Sequence, residues 1–134
     1  MKSLVLIALL GLGFSLSVSA NNDEKVYVSH CSNFVSGNQA VSYAFSSCVN
    51  NNFNSLGREF DNPVYTSYCS NFGDDVSFSF TSCINRNFST LARHLNRSIY
   101  LQNCSNFTRD ELSYSFVSCT NNNFRKIQNE LNRQ

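Results

Sequence analysis

Apolar side chains recur through residues 76–95 at the offsets of a single helical face: Val76, Phe80, Cys83, Phe88, Leu91 and Leu95, with Asn87 among them. At about 100° per residue the apolar members span an arc of roughly 140°, the stripe of a helix packed on one side. The same pattern runs through Val41, Phe45, Cys48, Phe53, Leu56 and Phe60, and again through Leu112, Phe116, Cys119, Phe124, Ile127 and Leu131. Three amphipathic helices are therefore expected. Asp74, and Asp110 with Glu111, are acidic residues suited to helix N-termini. Ahead of each helix lies a shorter apolar segment. In the first, Val26, Tyr27, Cys31 and Phe34 fall on a spacing that one helical face of about two and a half turns carries. A competing signal exists: VSFSFTS alternates apolar and polar residues in period two, as strands do. Its cysteine falls on the opposite parity to Val76, Phe78 and Phe80, and the helical period accounts for a longer stretch.

These segments come in three similar units, residues 26–60, 64–95 and 99–131. Between the two cysteines of a unit lie 16, 13 and 14 residues, whereas 20 residues separate one unit's second cysteine from the next unit's first both times. The variable pieces, VSGNQA, GDD and TRDE, are rich in turn-forming residues. Each unit thus reads as a short front element, a turn and a longer back element. The period is about 35–38 residues, which points to stacked supersecondary units. The expected class is all-α, with three disulfide-stapled helical hairpins in one domain over residues 21–134. The alternative is an α+β arrangement of strand-then-helix repeats.

The first 20 residues change the setting. Lys2 precedes an apolar run from Leu4 to Phe14, and a small-residue segment ends in Val18-Ser19-Ala20. This is the layout of a secretory signal peptide cleaved after Ala20. The apolar run is shorter than the roughly 20 residues of a membrane span, and no transmembrane anchor is expected in the mature chain. A secreted protein follows, or a periplasmic one in a Gram-negative bacterium. Six cysteines in a short exported chain read as three disulfides. Pairing within units gives Cys31–Cys48, Cys69–Cys83 and Cys104–Cys119. Pairing between units gives Cys48–Cys69 and Cys83–Cys104, with Cys31–Cys119 closing a ring. Of the two, pairing within units is favoured, because it makes each unit self-sufficient. A loop of about 15 residues so closed contributes about 3 kcal/mol in the chain-entropy model.

Charge and motif content remove several classes of function. Ten basic and nine acidic side chains give a net charge of +1, and loss of Lys2 with the leader brings the balance to zero. No basic stripe is present, which argues against nucleic acid as a partner. There is no C-x-x-C pair, and His30 and His94 occupy unmatched repeat positions, so neither a metal site nor a cofactor is expected. No nucleophile–base set, carboxylate pair or phosphate loop stands out, and the chain is not expected to be an enzyme. Sequons begin at Asn87, Asn96, Asn103 and Asn106, in a chain where Asn and Ser are so common that chance explains them.

The remaining candidates are aromatic and amide side chains. Asn52, Asn87 and Asn123 point inward on the helical wheel and are expected to satisfy backbone groups. Asn50, Asn85 and Asn121 point away from the apolar arc, and Tyr43, Phe78 and Tyr114 lie on the same side seven residues earlier. An aromatic ring beside an amide suits a sugar, whose apolar face the ring covers while the amide pairs with hydroxyls. The expectation is an exported non-catalytic binding protein that contacts glycan or cell-wall material. The alternative is a secreted effector or inhibitor acting on a protein partner.

Overall fold

The computed structural model describes residues 25–134; the expected leader and its expected cleavage site lie outside the described residues. Three helices are present: α1 (Tyr43–Arg58), α2 (Phe78–Ala92) and α3 (Tyr114–Leu131). They occupy the three back elements, and among the described residues no strand pairs with another. The all-α class holds. The period-two stretch VSFSF runs across the start of α2 rather than along a strand.

Each helix begins at a serine. Ser42, Ser77 and Ser113 are extended N-caps whose hydroxyls accept from the backbone N–H of Phe45, Phe80 and Phe116. A serine oxygen there satisfies one of the donors a helix start leaves free. The acidic residues expected in this role sit earlier, in the turn, and no first helical turn contains one. Gly37 and Gly73 bend two of these turns with φ of 74° and 107°, which other residues rarely adopt.

The front elements are not helices, and here the hairpin expectation is corrected. Each is an extended strap lying along its own helix. Burial alternates at its start, where Val26 is buried, Tyr27 exposed and Val28 half-buried, as are Val64, Tyr65 and Thr66 in turn. That is the two-residue period of an extended chain. The disulfides join strap to helix within each unit: Cys31–Cys48, Cys69–Cys83 and Cys104–Cys119, each with Cα atoms 5.6 Å apart.

An extended strap without a sheet has backbone groups to satisfy. Helix asparagines do this. The Asn52 amide accepts from Ser29 N–H at 2.9 Å and donates to Ser29 C=O at 2.7 Å. Asn87 does the same for Ser67, and Asn123 for Gln102. A side-chain amide has the donor and acceptor of a peptide group, so one Asn replaces one rung of a ladder.

A second set of clamps crosses between units. Asn50 of α1 grips both backbone groups of Cys69, and Asn85 of α2 grips those of Cys104. Asn121 of α3 then grips Cys31, 90 residues back in the chain. The links run from unit one to two, two to three and three to one, so the assembly is a closed ring with pseudo-threefold character. Asn132 adds a further clamp on Val26, and Gln128 accepts from Val28 N–H. At the turn end three backbone bonds also close a circuit: Ala40 N–H to Asp74, Val76 N–H to Arg109, and Leu112 N–H to Ala40.

The core lies on the axis of this ring. Phe53, Phe88 and Phe124, one from each helix, meet edge-to-face in all three pairings with centroids 4.8–4.9 Å apart. Such contacts contribute about 0.5–1.5 kcal/mol each beyond the area they bury. Phe45, Phe80 and Phe116 are fully buried nearer the helix starts. One further contact sets the corner between units one and two. Gly57 accepts from Val64 N–H, and a Cβ at Gly57 would collide with the Val64 carbonyl oxygen.

Candidate functional site

With the core closed on the axis, the outward aromatic side chains have no role in it. Tyr43, Phe78 and Tyr114 are the first residues of α1, α2 and α3 and follow the capping serines directly. They are 80, 85 and 87% exposed. Because each starts a different helix of the ring, they are spread around it, and neither groove beside Tyr43 or Phe78 contains a second member of the three.

The asparagines expected beside them behave differently. Asn50 and Asn121 are buried and Asn85 is half-buried. Each commits both amide hydrogens and accepts one hydrogen bond. Asn50 Nδ2 donates to Ser46 C=O and Cys69 C=O, both at 2.8 Å, while Oδ1 accepts from Cys69 N–H. Asn85 and Asn121 repeat this arrangement. Asn50 and Asn121 are therefore removed from the candidate ligand surface, whereas Asn85 lines the groove beside Phe78 with its amide hydrogens spent. On an isolated helix they face away from the apolar arc; in the ring that flank is covered by the neighbouring strap.

Sequence reasoning missed a second set of aromatics. Phe34, Phe72 and Phe107 close the repeated Cys-Ser-Asn-Phe segment and are 84, 87 and 88% exposed. The preceding asparagine explains their fixed placement. Asn33 accepts from Ser42 N–H and donates to Ala40 C=O, which ties the strap end to the helix cap. Asn71 and Asn106 accept likewise from Ser77 and Ser113 N–H and donate to the turn backbone. Tyr27, Tyr65, Tyr68 and Tyr100 are exposed as well. The signal that could have found the Phe set is its position one residue before a variable turn.

Two of the grooves between neighbouring units hold a helix-start aromatic. The first, about 280 Å³, is lined by Tyr43 and Ser46 of unit one and by Tyr68, Ser70 and Phe72 of unit two. The second, about 310 Å³, lies between Phe78 and Thr81 of unit two and Asn103 and Ser105 of unit three. A wider cavity of about 420 Å³ opens at the turn end, where Asp74, Asp75, Asp110 and Glu111 gather. Among the described residues no group of three His, Cys, Asp or Glu side chains is placed to hold a metal ion. Exposed His30 takes no part in the clamps, and His94 lies edge-on to Phe60 with Nδ1 2.8 Å from Thr90 O.

The sequons separate by burial. Asn87 is buried in its clamp and Asn106 is bound into its turn, whereas Asn96 and Asn103 are exposed. No helix among the described residues is long and apolar enough to cross a membrane. In comparison with family models, characterised proteins and solved structures, the chain finds no match.

Proposed function

We propose that this chain is an exported, non-catalytic binding protein that contacts glycan or cell-wall material through the aromatic residues Tyr43, Phe78 and Tyr114. Export is supported by the leader-like residues 1–20 and by three disulfides, which persist in oxidising compartments. The observation that carries the binding reading is the exposure of three large rings at equivalent helix starts, on a scaffold whose core is complete without them. Their faces suit the apolar face of a pyranose. Serine and tyrosine hydroxyls, rather than the spent amides of Asn50, Asn85 and Asn121, supply the polar contacts.

The test is binding of the oxidised mature chain to isolated cell-wall polysaccharides, beside a variant with Tyr43→Ala, Phe78→Ala and Tyr114→Ala. Loss of binding in a variant with unchanged circular dichroism supports the reading. Retained binding in that variant removes these residues from the contact. Absence of binding by the parent overturns the glycan reading and favours an effector or inhibitor directed at a protein.

A further inference from the structure

We infer that the contacts are made in grooves that each span two units, and that the occupant is an uncharged polysaccharide chain. This rests on the glycan reading above and adds its geometry and ligand class. In the first groove Tyr43 comes from one unit while Tyr68 and Phe72 come from the next. A sugar ring seated there has aromatic surface from two units, with the Ser70 hydroxyl beside it and the Ser46 oxygen, whose proton is donated to Cys69 C=O, left to accept. The Asn50 clamp on Cys69 and the Ser46 hydroxyl, which donates to Cys69 C=O at 3.2 Å, fix the two walls relative to each other. Such a groove is formed before binding, which lowers the entropy lost when a ligand seats.

The lining decides the class of ligand. Neither groove has an Asp, Glu, Lys or Arg side chain in its wall. Acidic groups instead collect in the turn-end cavity. A sulfated or uronic polymer would find no cation to pair with, whereas hydroxyls and ring faces match a neutral saccharide. The third interface is held by the same clamp, Asn121 on Cys31. At the equivalent positions it carries Tyr114 and Val117 on one side and His30, Ser32 and Phe34 on the other.

The three interfaces are ranked by these substitutions. The first has two tyrosines and a phenylalanine. The second has Asn103 where the first has Tyr68. The third has His30 where the first has Tyr68, and Val117 where the others have Ser46 or Thr81, whose hydroxyls donate to backbone carbonyls and are left to accept. Binding is therefore strongest at the first, and sites arrayed around one ring give a polymer several attachments, raising its avidity over that of an oligomer.

The test is calorimetry of the oxidised mature chain with neutral hexasaccharides of β-1,4-linked glucose, N-acetylglucosamine and mannose, and with a chondroitin sulfate hexasaccharide. A Tyr68→Ala, Phe72→Ala variant alters the second wall of the first groove and leaves Tyr43, Phe78 and Tyr114 in place. The expected result is binding of at least one neutral hexasaccharide in preference to the sulfated one, weakened about tenfold or more at the tightest site by the wall variant. Tighter binding of the sulfated oligomer overturns the ligand class. Unchanged binding by the wall variant, with binding lost in the Tyr43, Phe78, Tyr114 triple variant, overturns the two-unit groove and leaves the glycan reading standing. Binding of none of the four by the parent removes the inference, and the glycan reading is then decided separately by the polysaccharide panel.

Discussion

Phe124 and Phe107 belong to the same unit and meet opposite fates. Phe124 is fully buried on the axis, edge-to-face with Phe53 and Phe88. Phe107 ends the strap almost wholly in solvent. The same contrast holds between Phe88 and Phe72, and between Phe53 and Phe34. Burying a large apolar side chain is worth about 1.5–3 kcal/mol, and the rim residues forgo that gain. The axis is accounted for by folding alone, whereas folding gives no account of the rim, which is where the proposed binding reading applies.

That contrast is broken most severely at the axis. Phe124→Ala removes a ring held by two others and leaves a cavity between three helices. We expect a loss of about 3–5 kcal/mol, read as a lowered denaturant midpoint. A loss below about 1 kcal/mol would mean that the three rings do not form the packed centre.

The next effect separates ring from stack. Asn121 is the side chain that returns unit three to unit one. Asn121→Ala leaves the buried N–H and C=O of Cys31 without partners, at a cost of about 2–3 kcal/mol. Hydrogen exchange should show the amide of Cys31 losing protection before that of Cys69, which Asn50 still holds. Equal loss at both amides would argue against independent clamps.

These clamps also show where reading the sequence reached its limit. The helices were legible because their apolar residues repeat locally, at offsets that any window of about 20 residues reveals. The staples were legible because each unit carries two cysteines, whose pairing makes the unit self-sufficient. The straps were not, since the groups that satisfy them are side-chain amides on their own unit's helix and on a neighbouring unit's, 19 residues or more away in the chain. Asn50, Asn85 and Asn121 were misread for the same reason: a wheel drawn for one helix cannot include the strap of the next unit. The helix caps were hidden more simply, by acidic residues close to the serines that do the work. Tyr43, Phe78 and Tyr114 were legible as outward positions, but Phe34, Phe72 and Phe107 were not, because a helical front element placed Phe34 on an apolar face.

A smaller effect concerns a flaw in one unit of the core. Thr120 is fully buried and its hydroxyl has no partner, while units one and two carry Val49 and Ile84 at this position. A buried hydroxyl without a partner is destabilising, and valine has nearly the same shape. Thr120→Val should stabilise by about 1 kcal/mol, with an unchanged dependence on denaturant. The reverse change, Val49→Thr, should destabilise by a similar amount. If both variants lose stability, the Thr120 hydroxyl has a partner in solution.

The smallest expected effect is at the rim, and it tests the comparison most directly. Phe72→Ser removes a ring comparable to that of Phe124 from a side chain that is 87% exposed. The Asn71 bonds that fix the turn involve its neighbour and the backbone, so they survive the change. Thermal or denaturant stability should therefore move by no more than about 0.5 kcal/mol. A loss approaching that of Phe124→Ala would mean that Phe72 packs against the protein after all, and the rim would need no ligand to explain it. A negligible loss leaves a set of exposed rings that contribute nothing measurable to folding, as the proposed binding role requires of them.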